Sequence, residues 1–238
     1  MTQAARQQIA DAGFIQLSRS ELESITGGSL EPLVTLQSTW ARLPRDPYLR
    51  DGGRYRARRH SCFTLDVATG SLEQVPQRPH WQSTDYNALH GGMLRWFEPI
   101  EERVTGATAW LRVLVGLGAV FTSLEPVAKW FIEAHQFRID TEGGLGRPTP
   151  EGAHRDGVTF VAVVLIAREG VSGGETRVFD AAGPDGVRFT MLEPWSALLL
   201  DDARVMHETT PLQPEDPQVL GHRDTLVLTY RKEGFQAP

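Results

Sequence analysis

The spacing of apolar residues predicts helices in the first part of the chain. Residues 2–12 have a helix-forming composition, and the segment SRSELES from Ser18 onwards predicts a second helix, with Ser20 and Glu23 spaced as a capping box. Residues 122–134 (TSLEPVAKWFIEA) also carry apolar side chains at helical spacing. We therefore expect the first fifth of the chain to be mostly helical, with one further helix inserted later.

Short apolar runs predict β-strands in most of the remaining sequence. Residues 54–67 alternate sufficiently to indicate a strand or hairpin, and the second half contains β-rich runs separated by Gly, Pro and Asp. These runs cover residues 160–167, 175–180, 187–191, 197–200 and 225–230. The pattern is typical of a mainly β barrel or sandwich. We expect one domain over 1–238, with a helical part (1–50) packed on a β core (54–231) that contains the helix near 122–134.

Composition and charge narrow the possible functions. The net charge of −6 argues against a general nucleic-acid binder, because neutralising phosphates requires clustered Lys and Arg. The one basic run, 54–59, has the alternating arginines of a solvated strand face. The longest apolar run, 160–167, is far shorter than the ~20 residues of a membrane-spanning helix. Without an apolar signal segment, and with Cys62 as the single cysteine, the chain is expected to be cytoplasmic.

A His-x-Asp motif in the segment EGAHRDG offers two candidate metal ligands. In an extended chain His154 and Asp156 point to the same side, whereas Arg155 points away. A third ligand is available at His207, 51 positions beyond Asp156 and after another apolar run. Two imidazoles and one carboxylate leave three positions of an octahedron open, which suits non-haem Fe(II) enzymes that bind a cosubstrate and O₂.

The other histidines are interpreted as non-ligands, because none has a ligand partner at a useful spacing along the chain. They are His60, His80, His90, His135 and His222. His222 is the best substitute for His207, but it immediately precedes Arg223, and adjacent strand residues face opposite sides.

Arg223 stands at the start of the last predicted strand and is a candidate anchor for a dicarboxylate cosubstrate. Its guanidinium would form a two-pronged salt bridge with the far carboxylate of 2-oxoglutarate. Thr225 lies on the same face and would add a hydrogen bond from its hydroxyl. The alternative is a strand-edge arginine paired with Asp224 or Glu208, in which case Arg231 becomes the substitute anchor.

Several segments occur in a fixed order: QSTDYNALHGGMLRWFEPI (82–100), QFRI (136–139), RPTPEGAHRDG (147–157) and GGET (173–176), followed by His207 and Arg223. Together they resemble the bacterial 2-oxoglutarate/Fe(II) dioxygenases typified by L-isoleucine dioxygenase. The similarity extends from about Arg54 to about Arg231. Several motifs in the right order are far more specific than one His-x-Asp pair.

The resemblance implies a single catalytic domain with a double-stranded β-helix (jelly-roll, cupin-like) core and flanking helices. It also implies iron held by His154, Asp156 and His207, and 2-oxoglutarate held by Arg223. The implied reaction uses O₂ to hydroxylate an unactivated C–H bond of a free L-amino acid while 2-oxoglutarate is converted to succinate and CO₂. The substrate would be an isoleucine-like aliphatic amino acid or a polar one such as citrulline or arginine. Asp156, where a small residue would open a halide site, favours hydroxylation over halogenation.

Three polar residues near these motifs are candidates for binding the charged ends of an amino acid. We expect Arg95 to bind the carboxylate, and Glu175 and Gln136 to accept hydrogen bonds from the ammonium group. Each has a structural alternative, respectively an ion pair with Glu98, a turn, and the polar face of a strand.

Two alternatives stand beside this hypothesis. The same iron chemistry could produce desaturation or sulfoxidation, or could act on a modified, peptide-bound or carrier-bound amino acid. A metal-binding cupin without redox chemistry would keep the His/Asp/His set but would not decarboxylate 2-oxoglutarate. The sequence leaves the substrate, the oxidised carbon and the oligomeric state open.

Overall fold

Two antiparallel sheets of unequal size form the frame of the molecule. The computed structural model describes residues 3–238. The described strands are β1 (Phe14–Leu17), β2 (Arg56–Asp66), β3 (Leu72–Gln74), β4 (Lys129–Asp140), β5 (Phe160–Glu169), β6 (Val171–Gly173), β7 (Thr176–Asp180), β8 (Gly186–Phe189), β9 (Ala197–Asp201), β10 (Val205–Thr209), β11 (Leu212–Pro214) and β12 (His222–Arg231). The large sheet has the order β1-β9-β5-β12-β4-β2-β3, the small sheet has the order β10-β7-β8, and β11 pairs with β6. This is the mainly β, jelly-roll arrangement that the sequence predicts.

The helices lie in two groups along the chain. They are α1 (Gln3–Ala12), α2 (Arg19–Thr26), α3 (Glu31–Val34), a 3₁₀ helix (Gln37–Arg42), α4 (Glu102–Thr105) and α5 (Thr108–Thr122). Over the described residues, α1 and α2 agree with the helices expected there; the expected Thr2 lies outside the described residues. No helix among residues 3–238 is long and apolar enough to cross a membrane.

The N-terminal part departs from the prediction in two details. The capping box of α2 uses Ser18 and Glu21, since the backbone N–H of Ser18 donates to Glu21 Oε2 and that of Glu21 donates to Ser18 Oγ. The expected pair, Ser20 and Glu23, is therefore shifted by two positions. In addition, residues 14–17 form a strand, β1, which pairs with β9 at the edge of the large sheet.

Strand β5 is apolar from Phe160 to Ala167, and both faces of this stretch pack against apolar residues. Ala162, Val164 and Ile166 pack with the helices in the main core. Val161 and Leu165 point the other way and pack with residues of the small sheet. The apolar run at 160–167 is thus a central strand between two apolar layers.

The helix expected at 122–134 is wrong, because the helix in this region, α5, ends at Thr122. From Lys129 onwards the chain forms β4, a central strand between β2 and β12. Trp130, Ile132 and Ala134 point from β4 into the main core, but Phe131 interrupts the apolar alternation, so this short run does not separate clearly from a helical pattern. The sequence analysis did not predict α5, in which Gly118 allows close packing on β2, because a Cβ at this position would overlap the Leu65 side chain.

Candidate functional site

A cavity opens on the inner face of the large sheet, and residues from both sheets line it. Alternation brings every second residue of β2, β4 and β12 to this face. Strand register then places these side chains in three rows: Arg56, Ile139 and Arg223; Arg58, Phe137 and Thr225; His60, His135 and Val227. The cavity is therefore polar at the β2 side and mixed at the β12 side.

The structure brings His154, Asp156 and His207 together at this cavity. His154 and His207 exchange backbone hydrogen bonds across an isolated antiparallel bridge, so the two rings lie on the same side with centroids 4.7 Å apart. His154 Nε2 is 3.7 Å from Asp156 Oδ1, and His207 Nε2 is 3.8 Å from Asp156 Oδ2. The three ligand atoms lie within 4.8 Å of one another, close enough for a single metal ion.

Hydrogen bonding favours metal binding through Nε2 of His154. Its Nδ1 is 3.1 Å from the carbonyl oxygen of Gly152 and donates to it, which leaves the lone pair on Nε2, as in most metal-bound histidines. His207 Nδ1 is buried and has no hydrogen-bond partner among the described residues. Burial lowers the pKa of His207 to about 4, so this imidazole is neutral and its Nε2 can carry a lone pair. Burial opposes a charge on His154, but the neighbouring Asp156 raises its pKa to about 9, so a metal ion reaches the lone pair of Nε2 by displacing a proton.

Two residues that the sequence analysis did not identify, Asp202 and Gln236, form hydrogen bonds with the backbone of the loop that carries Asp156. The Asp202 carboxylate accepts hydrogen bonds from the backbone N–H groups of Asp156, Gly157 and Val158 at 2.8–3.0 Å. The amide of Gln236 donates to the carbonyl oxygens of Asp156 and Gly157. Asp202 directly follows β9, and a carboxylate at the end of a buried strand is the only sequence signal that marks it.

Gln82 connects Asp156 to another wall of the cavity. Its Nε2 donates to Asp156 Oδ1 at 3.1 Å, and its Oε1 accepts from Arg95 Nη2 at 2.9 Å. Asn87 Nδ2 donates to the same Oε1 at 3.2 Å. The side chain of Gln82 therefore fixes both the orientation of Asp156 and the position of the Arg95 guanidinium.

Arg223 lies on β12, is 5% exposed and lines the cavity together with Thr225. Neither alternative partner is engaged with it: Asp224 faces the other side and pairs with Arg138 at 2.6 Å, and Glu208 pairs with Arg177 at 3.2 Å. Among the described residues no carboxylate forms an ion pair with Arg223. Burial lowers its pKa to about 10, so the guanidinium stays charged at neutral pH. The structure therefore leaves a buried cation facing the cavity, whereas Arg231 donates to the Gly234 carbonyl oxygen and does not line it.

A second group of potential ligands lies on the β2 side of the same cavity. His60, His80, Glu133 and His135 are all buried, and their ligand atoms lie within 4.8 Å of one another. The expectation that these histidines lack ligand partners is therefore wrong for three of them. Register between β2 and β4 places His60 opposite His135, a proximity that spacing along the chain conceals.

The hydrogen bonds of this second group differ from those of a metal centre. Arg58 Nη2 is 2.7 Å from His135 Nδ1, and because a guanidinium can only donate, Nδ1 must accept and Nε2 carries the hydrogen. That Nε2 faces Glu133 Oε2 at 3.7 Å. His60 Nε2 and His80 Nδ1 lie 3.1 and 2.7 Å from the same oxygen. The three imidazoles thus direct N–H groups at one carboxylate, whereas metal-bound imidazoles direct a lone pair inwards and an N–H outwards.

The structure changes the set of residues available for substrate binding. Arg95 lines the cavity and is 2% exposed, and it does not pair with Glu98. Gln136 does not line the cavity, because it lies on the opposite face of β4 and donates to Thr39. Glu175 does not line it either, since it pairs with Arg177 at 2.8 Å near the surface. Both expectations for an ammonium acceptor are therefore corrected.

The basic run at 54–59 is also not the solvated face that the sequence suggests. Arg56 and Arg58 are 6% and 3% exposed and line the cavity. Asp46 lies 2.7 Å from Arg56 Nε and 3.9 Å from Arg58 Nη1, which offsets part of this charge. Arg56 Nη2, Arg58 Nε and Arg95 Nε are buried without hydrogen-bond partners among the described residues. The alternating pattern places Arg56 and Arg58 on one face of the strand, but it does not show that this face is buried.

Comparisons with known proteins place these observations in a family. A family model described as 2OG-Fe dioxygenase matches residues 37–229. The crystal structure of a bsmA homologue from Methylobium petroleophilum PM1 is 57% identical, with a TM-score of 0.94 over 99% of this chain and 94% of that chain.

More distant structures share the fold. IDO from Bacillus thuringiensis is 20% identical, with a TM-score of 0.79 over 97% of this chain and 98% of that chain. The Fe(II)/(alpha)ketoglutarate-dependent dioxygenase TqaL is 19% identical, with a TM-score of 0.74 over 96% of this chain and 86% of that chain. No curated protein matches the chain significantly.

Proposed function

Because the chain belongs to the 2OG-Fe dioxygenase family, whose members use Fe(II), 2-oxoglutarate and O₂, we propose that it hydroxylates an unactivated C–H bond of a free L-amino acid. We assign the iron to His154, Asp156 and His207. The main observation behind the proposal is that one cavity contains this ligand set together with Arg223, a buried arginine without an ion-pair partner among the described residues. Further cationic and anionic side chains line the same cavity. The resemblance to the L-isoleucine dioxygenases in the motifs from 82 to 223 supports the substrate class.

The hydrogen bonds of the imidazole nitrogens favour this ligand set over the group around Glu133. His154 has its outer nitrogen satisfied by a carbonyl oxygen, as a metal ligand requires. His135 has its outer nitrogen blocked by Arg58, which cannot accept a hydrogen bond. When bound, Fe(II) with O₂ supplies the oxidising chemistry, and 2-oxoglutarate leaves as succinate and CO₂.

Arg223 is the proposed anchor for 2-oxoglutarate. Its guanidinium is buried and charged, and a dicarboxylate would supply the partner that the described residues do not. A two-pronged salt bridge fixes the direction of the ligand as well as its position. Thr225, one row further along β12, would donate its hydroxyl hydrogen to the same carboxylate.

The charges in the cavity support a free amino acid as substrate. The ferrous ion and Arg223 together offset Asp156 and the two charges of 2-oxoglutarate. The remaining charged residues that line the cavity are three cations, Arg56, Arg58 and Arg95, and two carboxylates, Glu133 and Glu151. Asp46, which pairs with Arg56 but does not line the cavity, supplies the third negative charge. A neutral zwitterion keeps this balance and provides an anion for Arg95. A peptide-bound residue lacks both terminal charges and would leave buried groups unpaired, which is costly.

Succinate formation tests this proposal. Protein purified anaerobically would receive Fe(II), ascorbate, 2-oxoglutarate and O₂, with each of the twenty free L-amino acids added separately. We expect one or a few amino acids to stimulate succinate formation and to gain one oxygen atom by mass spectrometry. Slow succinate formation that no amino acid stimulates would contradict the free amino acid substrate. An iron-loaded protein that forms no succinate would contradict the dioxygenase activity itself.

A further inference from the structure

Glu133 is a buried carboxylate with one oxygen left free at the wall of the cavity. The residue is 5% exposed and lines the cavity. Its Oε2 accepts hydrogen bonds from His60 and His80, and His135 faces the same atom. Its Oε1 accepts no hydrogen bond from the described residues. The cavity therefore presents an acceptor that its own walls do not satisfy.

The surrounding imidazoles keep this carboxylate ionised. Burial by itself would favour the neutral acid, but the N–H groups of His80 and His60 lower the pKa of Glu133 below its ordinary value. Arg58 contributes by fixing the hydrogen of His135 on the nitrogen that faces Glu133. An ionised carboxylate with a free oxygen is suited to bind a cation rather than a neutral group.

We propose that Glu133 is the receptor for the ammonium group of the substrate, with Oε1 as the accepting atom. This inference rests on the proposed function, because it assumes a free amino acid in the cavity. It replaces Gln136 and Glu175, which do not line the cavity, with a residue that does. Arg95, whose Nε is buried without a partner among the described residues, then binds the other end of the zwitterion.

The assignment restricts the substrate to compounds with a free, protonated amino group. A 2-hydroxy acid places a neutral hydroxyl at Glu133 and loses the charge-assisted hydrogen bond. N-acylated and peptide-bound amino acids also lose the charge and add bulk at this position. The ammonium group is thus a determinant of specificity that the iron ligands do not provide.

Glu151 is the competing acceptor in the same cavity. Its Oε2 is buried without a partner among the described residues, and its Oε1 accepts from Asn87 at 3.4 Å. However, Oε1 also lies 3.8 Å from His154 Nε2, so this carboxylate stands beside the proposed iron ligands. Glu133 accepts hydrogen bonds from two imidazoles, His60 and His80, whereas Glu151 accepts only a long hydrogen bond from the Asn87 amide among the described residues.

Calorimetric binding in the absence of O₂ tests the inference without turnover. The protein would be loaded with Fe(II) and 2-oxoglutarate and titrated with each L-amino acid, and the best ligand would then be compared with the 2-hydroxy acid of the same skeleton. We expect the wild-type protein to prefer the amino acid by about 10- to 100-fold, the value of one charge-assisted hydrogen bond. This part of the experiment requires no variant.

Variants then locate the preference. In Glu133→Gln it should fall to within about threefold, since an amide removes the charge at nearly constant volume. Thr229→Val is the matched control, because Thr229 is the register partner of Glu133 on β12 and lines the same cavity; it should keep the preference. Circular dichroism would verify that each variant is folded.

Three results would overturn the inference alone, and a fourth would overturn it together with the proposed substrate class. An undiminished preference in folded Glu133→Gln would do so while leaving the free amino acid substrate intact, as would a preference lost only in Glu151→Gln. Equal binding of the amino acid and the hydroxy acid to the wild-type protein would do so without any variant. If none of the amino acids binds, the proposed substrate class fails together with the inference, and the succinate experiment identifies that case separately.

Discussion

Two clusters of histidine and carboxylate lie in one cavity, and their difference lies in the atoms behind them. In the first, His154 donates its outer N–H to the Gly152 carbonyl oxygen, so its Nε2 beside Asp156 can give up its proton and present a lone pair to a metal ion. In the second, Arg58 donates to the outer nitrogen of His135 and so turns an N–H towards Glu133. Residue type and proximity alone would make both clusters metal sites.

In each cluster one imidazole nitrogen faces away from the carboxylate, and its hydrogen-bond partner decides whether the other nitrogen can bind a metal ion or can only donate a hydrogen bond. A carbonyl oxygen behind an imidazole prepares a ligand for a cation. A guanidinium behind an imidazole prepares a donor for an anion. Here the first arrangement supports iron, and the second supports an ionised carboxylate that can receive a substrate cation.

The largest expected effect separates the two clusters by their dependence on iron. Asp156→Ala removes the only carboxylate of the first cluster, so bound iron and succinate formation should fall to background. Glu133→Gln, which removes the carboxylate charge of the second cluster, should leave close to one iron per chain. Iron content after gel filtration measures both. Iron lost from Glu133→Gln and retained by Asp156→Ala would reverse the comparison.

The next largest effect concerns the cosubstrate. Arg223→Gln should raise the KM for 2-oxoglutarate by about 100-fold or more, because two charged hydrogen bonds are lost. Arg223→Lys should recover only part of this, since an ammonium group cannot form the two-pronged salt bridge. Arg231→Gln serves as the control and should change the KM by less than about twofold. A similar rise in KM for the Arg231 variant would shift the anchor to that residue.

A smaller effect is expected at Gln82, which contacts both Asp156 and Arg95. Gln82→Leu should weaken iron binding by about 10- to 100-fold, as is usual when a partner of a metal ligand is removed. Gln136→Leu is the control. It makes the same chemical change on the face of β4 that points away from the cavity, so iron binding should be unchanged. Anaerobic titration with Fe(II) measures both constants. An equal loss of Fe(II) affinity in the two variants would contradict this role of Gln82 and would indicate a general effect on the fold.

The smallest expected effect sharpens the assignment of the ammonium receptor. Glu175 pairs with Arg177 near the surface and does not line the cavity. Glu175→Gln should therefore change the KM for the amino acid by less than about twofold, because partly exposed ion pairs contribute little. Steady-state kinetics with the best amino acid provide the test. A rise comparable to that of Glu133→Gln would return Glu175 to the site.

The parts of the site that the sequence predicts depend on short-range geometry. His154 and Asp156 lie two positions apart, so alternation places them on one side, and their distances in the structure agree with this. Arg223 and Thr225 follow the same rule on β12. The β-rich runs of the second half likewise correspond to β5, β7, β8, β9 and β12.

The parts that the sequence does not reveal depend on register between distant strands. Glu133 lies in the segment predicted to be a helix, His135 directly follows that segment, and His60 reaches them only because β2 pairs with β4. Strand alternation also does not indicate which of the two faces is buried. It places Arg56 and Arg58 on one face, and only the structure shows that this face is the inner one. Such residues become visible only when the sheet order is known.

The position of the iron is the claim on which the other assignments depend. Crystals grown anaerobically with Fe(II) and measured at the iron absorption edge would locate the ion directly. We expect one anomalous peak per chain, bounded by His154 Nε2, Asp156 and His207 Nε2. A peak enclosed instead by His60, His80, Glu133 and His135 would contradict it.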